Sequence, residues 1–305
     1  MSNAANDASD GTGHGALVLT HGGAANDPAV ADGCDAACAA ALAALARGGS
    51  ALDAAIAAVV VLEDDERMNA GTGSTLRLDG SIQTDAAVMD ARGFGAVAAL
   101  EGIKNPVRVA RAVYDTPHRL IVGRGARELA VRLGLPAADL ATAHAKAKHA
   151  ARMQTLGGGV FAAMWADVPD VFWKKAAVAG GACDTVGAVV RAPDGSFAAA
   201  GSTGGIWCAL PGRVGDVPIP GAGIQVGHAG AVVATGVGEV IWAERLCARV
   251  HEAMADGAPA QRAVDDAIAA TRARHPGVDV GLLAVDRTGG GAAVTEQMPW
   301  ARAAR

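Results

Sequence analysis

Aromatic residues are scarce in this chain of 305: one Tyr, four Phe and five Trp, 3% in all. Any core must be built from small aliphatic side chains, and at 51% hydrophobic residues there are enough of them. Runs of Lys or Arg are missing too. The formal net charge is −5 with both signs interspersed, which leaves no electrostatic footprint for nucleic acid. No CxxC pair occurs among Cys34, Cys38, Cys183, Cys208 and Cys247, and their number is odd. A reduced, cytoplasmic chain is the simplest reading, with Cys34 and Cys38, four apart on an expected helix, as core residues. Residues 54–62, an unbroken apolar run, fall far short of the about 20 residues that span a bilayer. Residues 1–14 are polar, lack the apolar stretch of a signal peptide and are expected to be a disordered tail.

Glycine, by contrast, is abundant at 41 residues and punctuates the chain. Residues 16–20 (ALVLT) read as a buried strand ending at the turn His21-Gly22-Gly23. Residues 35–46 read as a helix stopped by Gly48-Gly49, and Ser50 as the N-cap of a second helix, 52–62, with Asp53 in its first turn. A hairpin is expected from residues 75–78 and 81–88 around Asp79-Gly80. Residues 106–113, 125–133 and 137–153 look helical, and Gly157-Gly158-Gly159 and Gly180-Gly181 break the regularity of the stretch after them. Residues 185–192 and 196–200 form a second hairpin around Asp194-Gly195, and a Gly/Pro-rich stretch runs over 201–230. Beyond it come a strand at 231–235, helices at 239–255 and 260–274, and strands at 278–286 and 292–296. Strands that pair as hairpins beside paired helices argue for antiparallel sheets with helices outside, not for βαβ units.

The chemistry centres on Asp184-Thr185-Val186-Gly187-Ala188-Val189-Val190, where a threonine opens a buried strand after an irregular, Gly-rich stretch. By strand propensity alone this is a β-branched residue in an ordinary place. A threonine hydroxyl is a poor nucleophile unless a base takes its proton. If Thr185 becomes a chain N-terminus, its own α-amine, with a pKa of about 7.7–8, is that base.

Three further segments change the reading of this threonine. They are Gly201-Ser202-Thr203-Gly204-Gly205, then Pro211-Gly212-Arg213-Val214-Gly215-Asp216 with Pro218-Ile219-Pro220-Gly221-Ala222-Gly223 beyond it, and Thr235-Gly236-Val237-Gly238-Glu239. Together with Asn69-Ala70-Gly71 and His21-Gly22-Gly23, their order and spacing resembles the plant-type L-asparaginase and isoaspartyl peptidase family of N-terminal nucleophile hydrolases. The resemblance runs from about residue 16 to 300 and is weakest over 134–182. It implies an α+β fold, a four-layer αββα sandwich forming one domain, 15–305. It also implies self-cleavage between Asp184 and Thr185 into an α-subunit (1–184) and a β-subunit (185–305), and assembly as (αβ)2. The implied activity is hydrolysis of β-aspartyl (isoaspartyl) dipeptides and of L-asparagine, with no cofactor required.

Residue by residue, the resemblance makes Thr185 the nucleophile, Thr203 the threonine that steadies it, and Thr235 with Gly236 the oxyanion hole. Arg213 matches the anchor of the substrate α-carboxylate, which a guanidinium fork suits as lysine does not. Asp216 matches the partner of the α-ammonium, Gly238 a substrate-binding position, and Asn69 an asparagine near the nucleophile. Around Asn69, the loop matches one that wraps a structural sodium ion with the backbone carbonyls of Leu62, Glu63, Met68, Ala70 and Thr72. His21-Gly22-Gly23 matches a turn beside the scissile bond, although a plain strand-ending turn explains it equally.

Departures from the family fall on the substrate side. The lysine that usually stands two residues before PGRVGD is absent from Ile206-Trp207-Cys208-Ala209-Leu210, Val237 replaces a threonine, and Ala91 replaces a glycine. The first makes the wall at Trp207 more apolar, so isoaspartyl dipeptides are expected to outdo asparagine. Glycosylasparaginase and taspase resemble the same segment; Pro211 and the missing signal peptide weigh against the first, and Asp216 against the second. A non-enzymatic Gly-rich nucleotide module is the rival of another class, but Gly221-Ala222-Gly223 and Gly236-Val237-Gly238 make no GxGxxG after an N-terminal strand.

Overall fold

The structure is a computed structural model that describes residues 15–154 and 185–305. The expected tail (1–14), Asp184, Cys183 and the glycines of 157–159 and 180–181 lie outside the described residues.

Two sheets organise the chain. The larger has the strand order β11-β1-β5-β6-β2-β3-β4 and the smaller β10-β9-β8-β7. The strands are β1 (Leu17–His21), β2 (Thr84–Asp90), β3 (Gly93–Leu100), β4 (Leu120–Val122), β5 (Thr185–Arg191), β6 (Phe197–Thr203), β7 (Ile224–Gly227), β8 (Gly230–Gly236), β9 (Val280–Val285), β10 (Gly290–Val294) and β11 (Trp300–Ala304). Neighbours run antiparallel except β3 and β4.

Alternation along a strand sends successive side chains to opposite faces. In β5, Val186, Ala188 and Val190 join a cluster with α1 (Ala31–Ala46), α2 (Ala51–Asp64) and α3 (Pro106–Tyr114). Val189 points the other way and meets Val233, Leu283 and Val285 of the smaller sheet. The far face of that sheet, Val232, Ala234, Leu282 and Ala284, packs on α7 (Leu246–Ala255) and α8 (Ala260–Arg274). A strand buried on both faces has no polar side to show, which is why β5, β6, β8 and β9 read as unbroken small apolar runs.

Helix α2 carries the expected start: the Ser50 hydroxyl accepts the Asp53 N–H and the Asp53 carboxylate accepts the Ser50 N–H. The helical stretch Pro28–Ala46 is long and apolar enough by length and composition to cross a membrane. Here it is a core element, with Cys34, Ala37, Cys38 and Ala41 buried. Both cysteines are free, and Thr20 Oγ1 donates to the Cys34 carbonyl at 2.9 Å.

Two expectations are corrected. The first hairpin lies further on: β2 pairs with β3 through a turn at Ala91 and Arg92. Asp79-Gly80 does turn the chain, Arg77 N–H bonding the Ser81 carbonyl, but residues 76–78 join the larger sheet nowhere. They bond residues 206–209 instead, through Cys208 N–H to Leu76 O and Leu78 N–H to Ala209 O. The single helix over 239–255 is two, α6 (Gly238–Glu244) and α7, broken at Arg245 with φ +50°. The remaining helices are α4 (Gly123–Arg132) and α5 (Ala143–Gln154).

Candidate active site

Thr185 begins β5 and lies directly across from Thr203, the last residue of β6. Its Oγ1 donates to Thr203 Oγ1 at 3.1 Å, and Thr203 Oγ1 also accepts the Gly205 N–H at 3.0 Å. The Thr185 N–H donates to Thr235 Oγ1 at 3.2 Å, across the gap between the sheets. Thr235 Oγ1 accepts a second N–H, from Ala24, at 3.0 Å. Two backbone N–H groups thus share the Thr235 hydroxyl oxygen. All three threonines are buried. Thr185 meets Thr203 through its hydroxyl and Thr235 through its backbone N–H.

The sharp turns around them arise from close approach. Gly236 has φ +129°, and a Cβ there would run into the Asp279 carbonyl oxygen, so only glycine can offer its N–H at this corner. Gly187 lies under the His21 ring; a Cβ would sit 2.5 Å from His21 Nε2. His21 is fully buried, and burial lowers its pKa to about 4, a shift that the Thr185 backbone beside it only partly opposes. It is therefore a neutral imidazole at ordinary pH. The turn after it does more than end a strand, since it brings the Ala24 N–H to Thr235.

Asn69 does not point at the nucleophile. Its Nδ2 donates to the Gly205 carbonyl at 2.8 Å and its Oδ1 accepts the Thr75 N–H at 2.8 Å, so it fixes the backbone just after Thr203.

Arg213 and Asp216 come together beside Gly238, whose absent Cβ would lie 2.8 Å from both Arg213 Nη2 and Asp216 Oδ1. Arg213, however, is forked onto Glu239: Nε and Nη2 each donate to one carboxylate oxygen at 2.9 Å. Asp216 is 3% exposed, and among the described residues its Oδ2 has no hydrogen-bond partner. Burial above all pushes its pKa up to about 7, against the pull of Arg213. A carboxylate in that condition gains from an ammonium partner, because pairing removes the penalty of an unmatched buried group.

Two residues escaped the sequence reading. Glu239 is the acidic residue in the first turn of α6. Asp85, opposite Thr203 in β2, accepts the Ala99 N–H at 2.9 Å and the Gly215 N–H at 3.0 Å, tying the Arg213–Asp216 loop to the sheet. An acid inside an otherwise apolar strand is the signal that could have found it. The wall at Trp207 is also corrected. Trp207 is only 8% exposed, and Lys148 and Arg152 of α5 lie over its ring, 4.7 and 5.9 Å from the centroid. It is a basic surface, not an apolar one.

A hydroxyl that opens a strand, held by a second hydroxyl and facing a third across two sheets, is the furniture of a hydrolase with its nucleophile at a chain start. Comparison with known proteins agrees. A family model described as Asparaginase matches residues 12–305. The plant-type L-asparaginase of Pyrobaculum calidifontis is 42% identical over 252 residues, 81% of this chain and 80% of that one. The isoaspartyl peptidase/L-asparaginase of Danio rerio is 36% identical over 301 residues, 94% and 92% of the two chains, and that of Rattus norvegicus 37% over 300 residues, 93% and 85%. This chain belongs to that asparaginase family, whose fold is the N-terminal nucleophile hydrolase type.

Proposed function

We propose that the chain is an isoaspartyl peptidase and L-asparaginase that cuts itself before Thr185 and then uses that residue as a Thr nucleophile. The observation that carries the reading is the contact of the Thr185 hydroxyl with Thr203 and of its nitrogen with Thr235. In the cut enzyme the α-amine of Thr185 takes the hydroxyl proton, and Oγ1 adds to the β-carbonyl carbon of the substrate. Thr235 and the Gly236 N–H hold the resulting oxyanion. The C–N bond breaks, the leaving amine takes the proton from the α-amine, and water then opens the aspartyl ester by the same route. Arg213 and Asp216 hold the α-carboxylate and α-ammonium of the aspartyl half, with Gly238 giving them room.

The test is a denaturing gel beside an activity assay. The purified protein should resolve into chains of about 18 and 12 kDa, at about 99 Da per residue for 30.2 kDa over 305. Sequencing of the smaller should begin Thr-Val-Gly-Ala, and both L-asparagine and β-aspartyl-leucine should yield aspartate. A single uncut band with full activity would sink the mechanism.

The fold proposed with it is one domain, 15–305, in four layers, αββα; the apolar clusters on both faces of both sheets support it. Assembly as (αβ)2 goes with that reading, and sedimentation tests it. A structural sodium ion held by the backbone carbonyls of Leu62, Glu63, Met68, Ala70 and Thr72 belongs to the same reading. Backbone carbonyls are ligands for a hard cation, and the loop is compact: the Thr72 N–H bonds the Glu63 carbonyl at 2.8 Å, and a Cβ at Gly71 or Gly73 would run into backbone carbonyl oxygens. The ion would brace the Asn69 loop and take no part in the chemistry. Replacing sodium by tetramethylammonium should lower Tm by several degrees, since a ligand at about 100 times its Kd contributes about 2.7 kcal/mol. An unchanged Tm would remove the ion from the account.

A further inference from the structure

The four residues after Gly205 carry no charge, yet basic side chains ring them. Beneath lies Arg77, fully buried, its guanidinium flat against Gly205, where a Cβ would meet Nη1, Nη2 and Cζ at 3.1–3.3 Å. Nη2 donates to the Gln83 carbonyl at 2.9 Å, while Nε and Nη1 have no hydrogen-bond partner among the described residues. Asp85 is the nearby carboxylate, but both its oxygens are taken by backbone N–H groups. A buried guanidinium with idle donors is costly unless an anion meets it.

Above the same segment, Lys148 Nζ lies 4.7 Å from the Trp207 ring centroid with no ion pair among the described residues, and Arg152, one turn on, lies over the same ring. His149 Nε2 contacts the Arg77 carbonyl at 3.0 Å, which ties α5 to the segment that carries Arg77. The segment starts beside Thr203, the partner of the nucleophile, and ends at Arg213, the anchor of the aspartyl half. The leaving half of a substrate must depart elsewhere than over Arg213 and Asp216. No lysine stands at position 209; the cations near this segment come from elsewhere, Arg77 against Gly205 and Lys148 and Arg152 over Trp207.

We propose that Arg77 and Lys148, with Arg152 beside them, form a carboxylate subsite for the leaving group. Resting on the β-aspartyl amidohydrolase reading above, it makes the preferred substrates β-aspartyl peptides whose leaving residue keeps a free α-carboxylate, with acidic leaving side chains favoured as well. Asparagine releases ammonia and gains nothing from the subsite.

The test uses the self-cleaved protein and compares kcat/KM for β-aspartyl-leucine, its C-terminal carboxamide, β-aspartyl-glutamate and L-asparagine. The free acid should exceed the carboxamide by about tenfold, the scale of one charge-assisted hydrogen bond, and the glutamate peptide should match or exceed the leucine one. Lys148→Glu should lower the ratio of β-aspartyl-leucine to asparagine by about tenfold and erase the difference between acid and carboxamide. Arg77→Met should do the same. If it fails to fold, Lys148→Glu, on the half-buried face of α5, decides alone. Equal rates for acid and carboxamide in the unaltered enzyme, or an unmoved ratio in Lys148→Glu, would overturn the subsite. Failure to hydrolyse any of the four compounds is a different result, and it would take down the functional reading itself.

Discussion

Thr185→Ala should leave one chain of about 30 kDa on a denaturing gel and lower hydrolysis of β-aspartyl-leucine by about 10⁴-fold or more. Both effects come from one atom. In the proposed mechanism Oγ1 attacks the preceding carbonyl in the precursor and the substrate carbonyl in the cut enzyme. Alanine keeps the backbone and the Thr185 N–H that meets Thr235, so Tm should change little; the cost is one buried methyl and one hydrogen bond to Thr203. Thr203 would keep the Gly205 N–H as a partner and would not be orphaned. A Thr185→Ala protein that still splits at 184/185, or that keeps a tenth of its activity, would show that another group is the nucleophile.

Arg213→Lys should raise KM for asparagine about 10- to 100-fold, with a smaller effect on kcat. Lysine keeps the charge and loses the planar fork, and hydrogen bonds to charged groups contribute about 1.5–3 kcal/mol each. Glu239 sharpens the expectation. It holds Nε and Nη2 at 2.9 Å, so in the protein without substrate the fork is already aligned. A substrate carboxylate that takes this fork displaces Glu239 from a guanidinium already set in place, whereas a lysine ammonium would be drawn to Glu239 without offering a fork. The Arg213–Glu239 pair is partly exposed, at 15% and 39% of the side chains, and such pairs contribute about 0–1 kcal/mol to stability. The variant should therefore fold and cut itself normally. Unchanged KM with an unchanged melting curve would reduce Arg213 to a surface ion pair.

How much of this was legible in the sequence depends on what each residue signals locally. Thr185, Thr203, Thr235, Arg213 and Asp216 stand in short Gly-rich motifs; the structure joins the three threonines by hydrogen bonds and sets Arg213 and Asp216 together beside Gly238. The β5–β6 hairpin and the capping box of α2 were legible because turn residues and a capping pair act within a few residues. The strands β3, β4, β7 and β11 were not. β3 is small and apolar with no polar face, β4 is three residues long, and β7 sits in a stretch whose Gly and Pro content hides it. The hairpin expected at Asp79-Gly80 had a sound turn, but its flanks bond the Trp207 segment, a long-range preference with no local mark. The break at Arg245 went unseen since a non-glycine residue rarely takes a left-handed φ. The stacking of Lys148 and Arg152 on Trp207 joins residues more than fifty positions apart, beyond the reach of spacing.

The strand order β11-β1-β5-β6-β2-β3-β4 has a consequence for the molecule if it is cut before Thr185 as proposed. Strands β1, β2, β3 and β4 precede residue 185, and β5, β6 and β11 come after the cut. Within one sheet the two products are shuffled like cards, with β1 held between β11 and β5. Before the cut, folding is an event within one chain. Afterwards, regaining the same sheet requires two separate molecules to find each other and interleave, a second-order process that dilution slows. Mature enzyme that has once melted should recover poorly and in proportion to its concentration, whereas uncut Thr185→Ala should refold at a rate indifferent to dilution. The proposed cleavage would thus work as a ratchet: it would convert a reversible fold into one whose persistence rests on the barrier to coming apart.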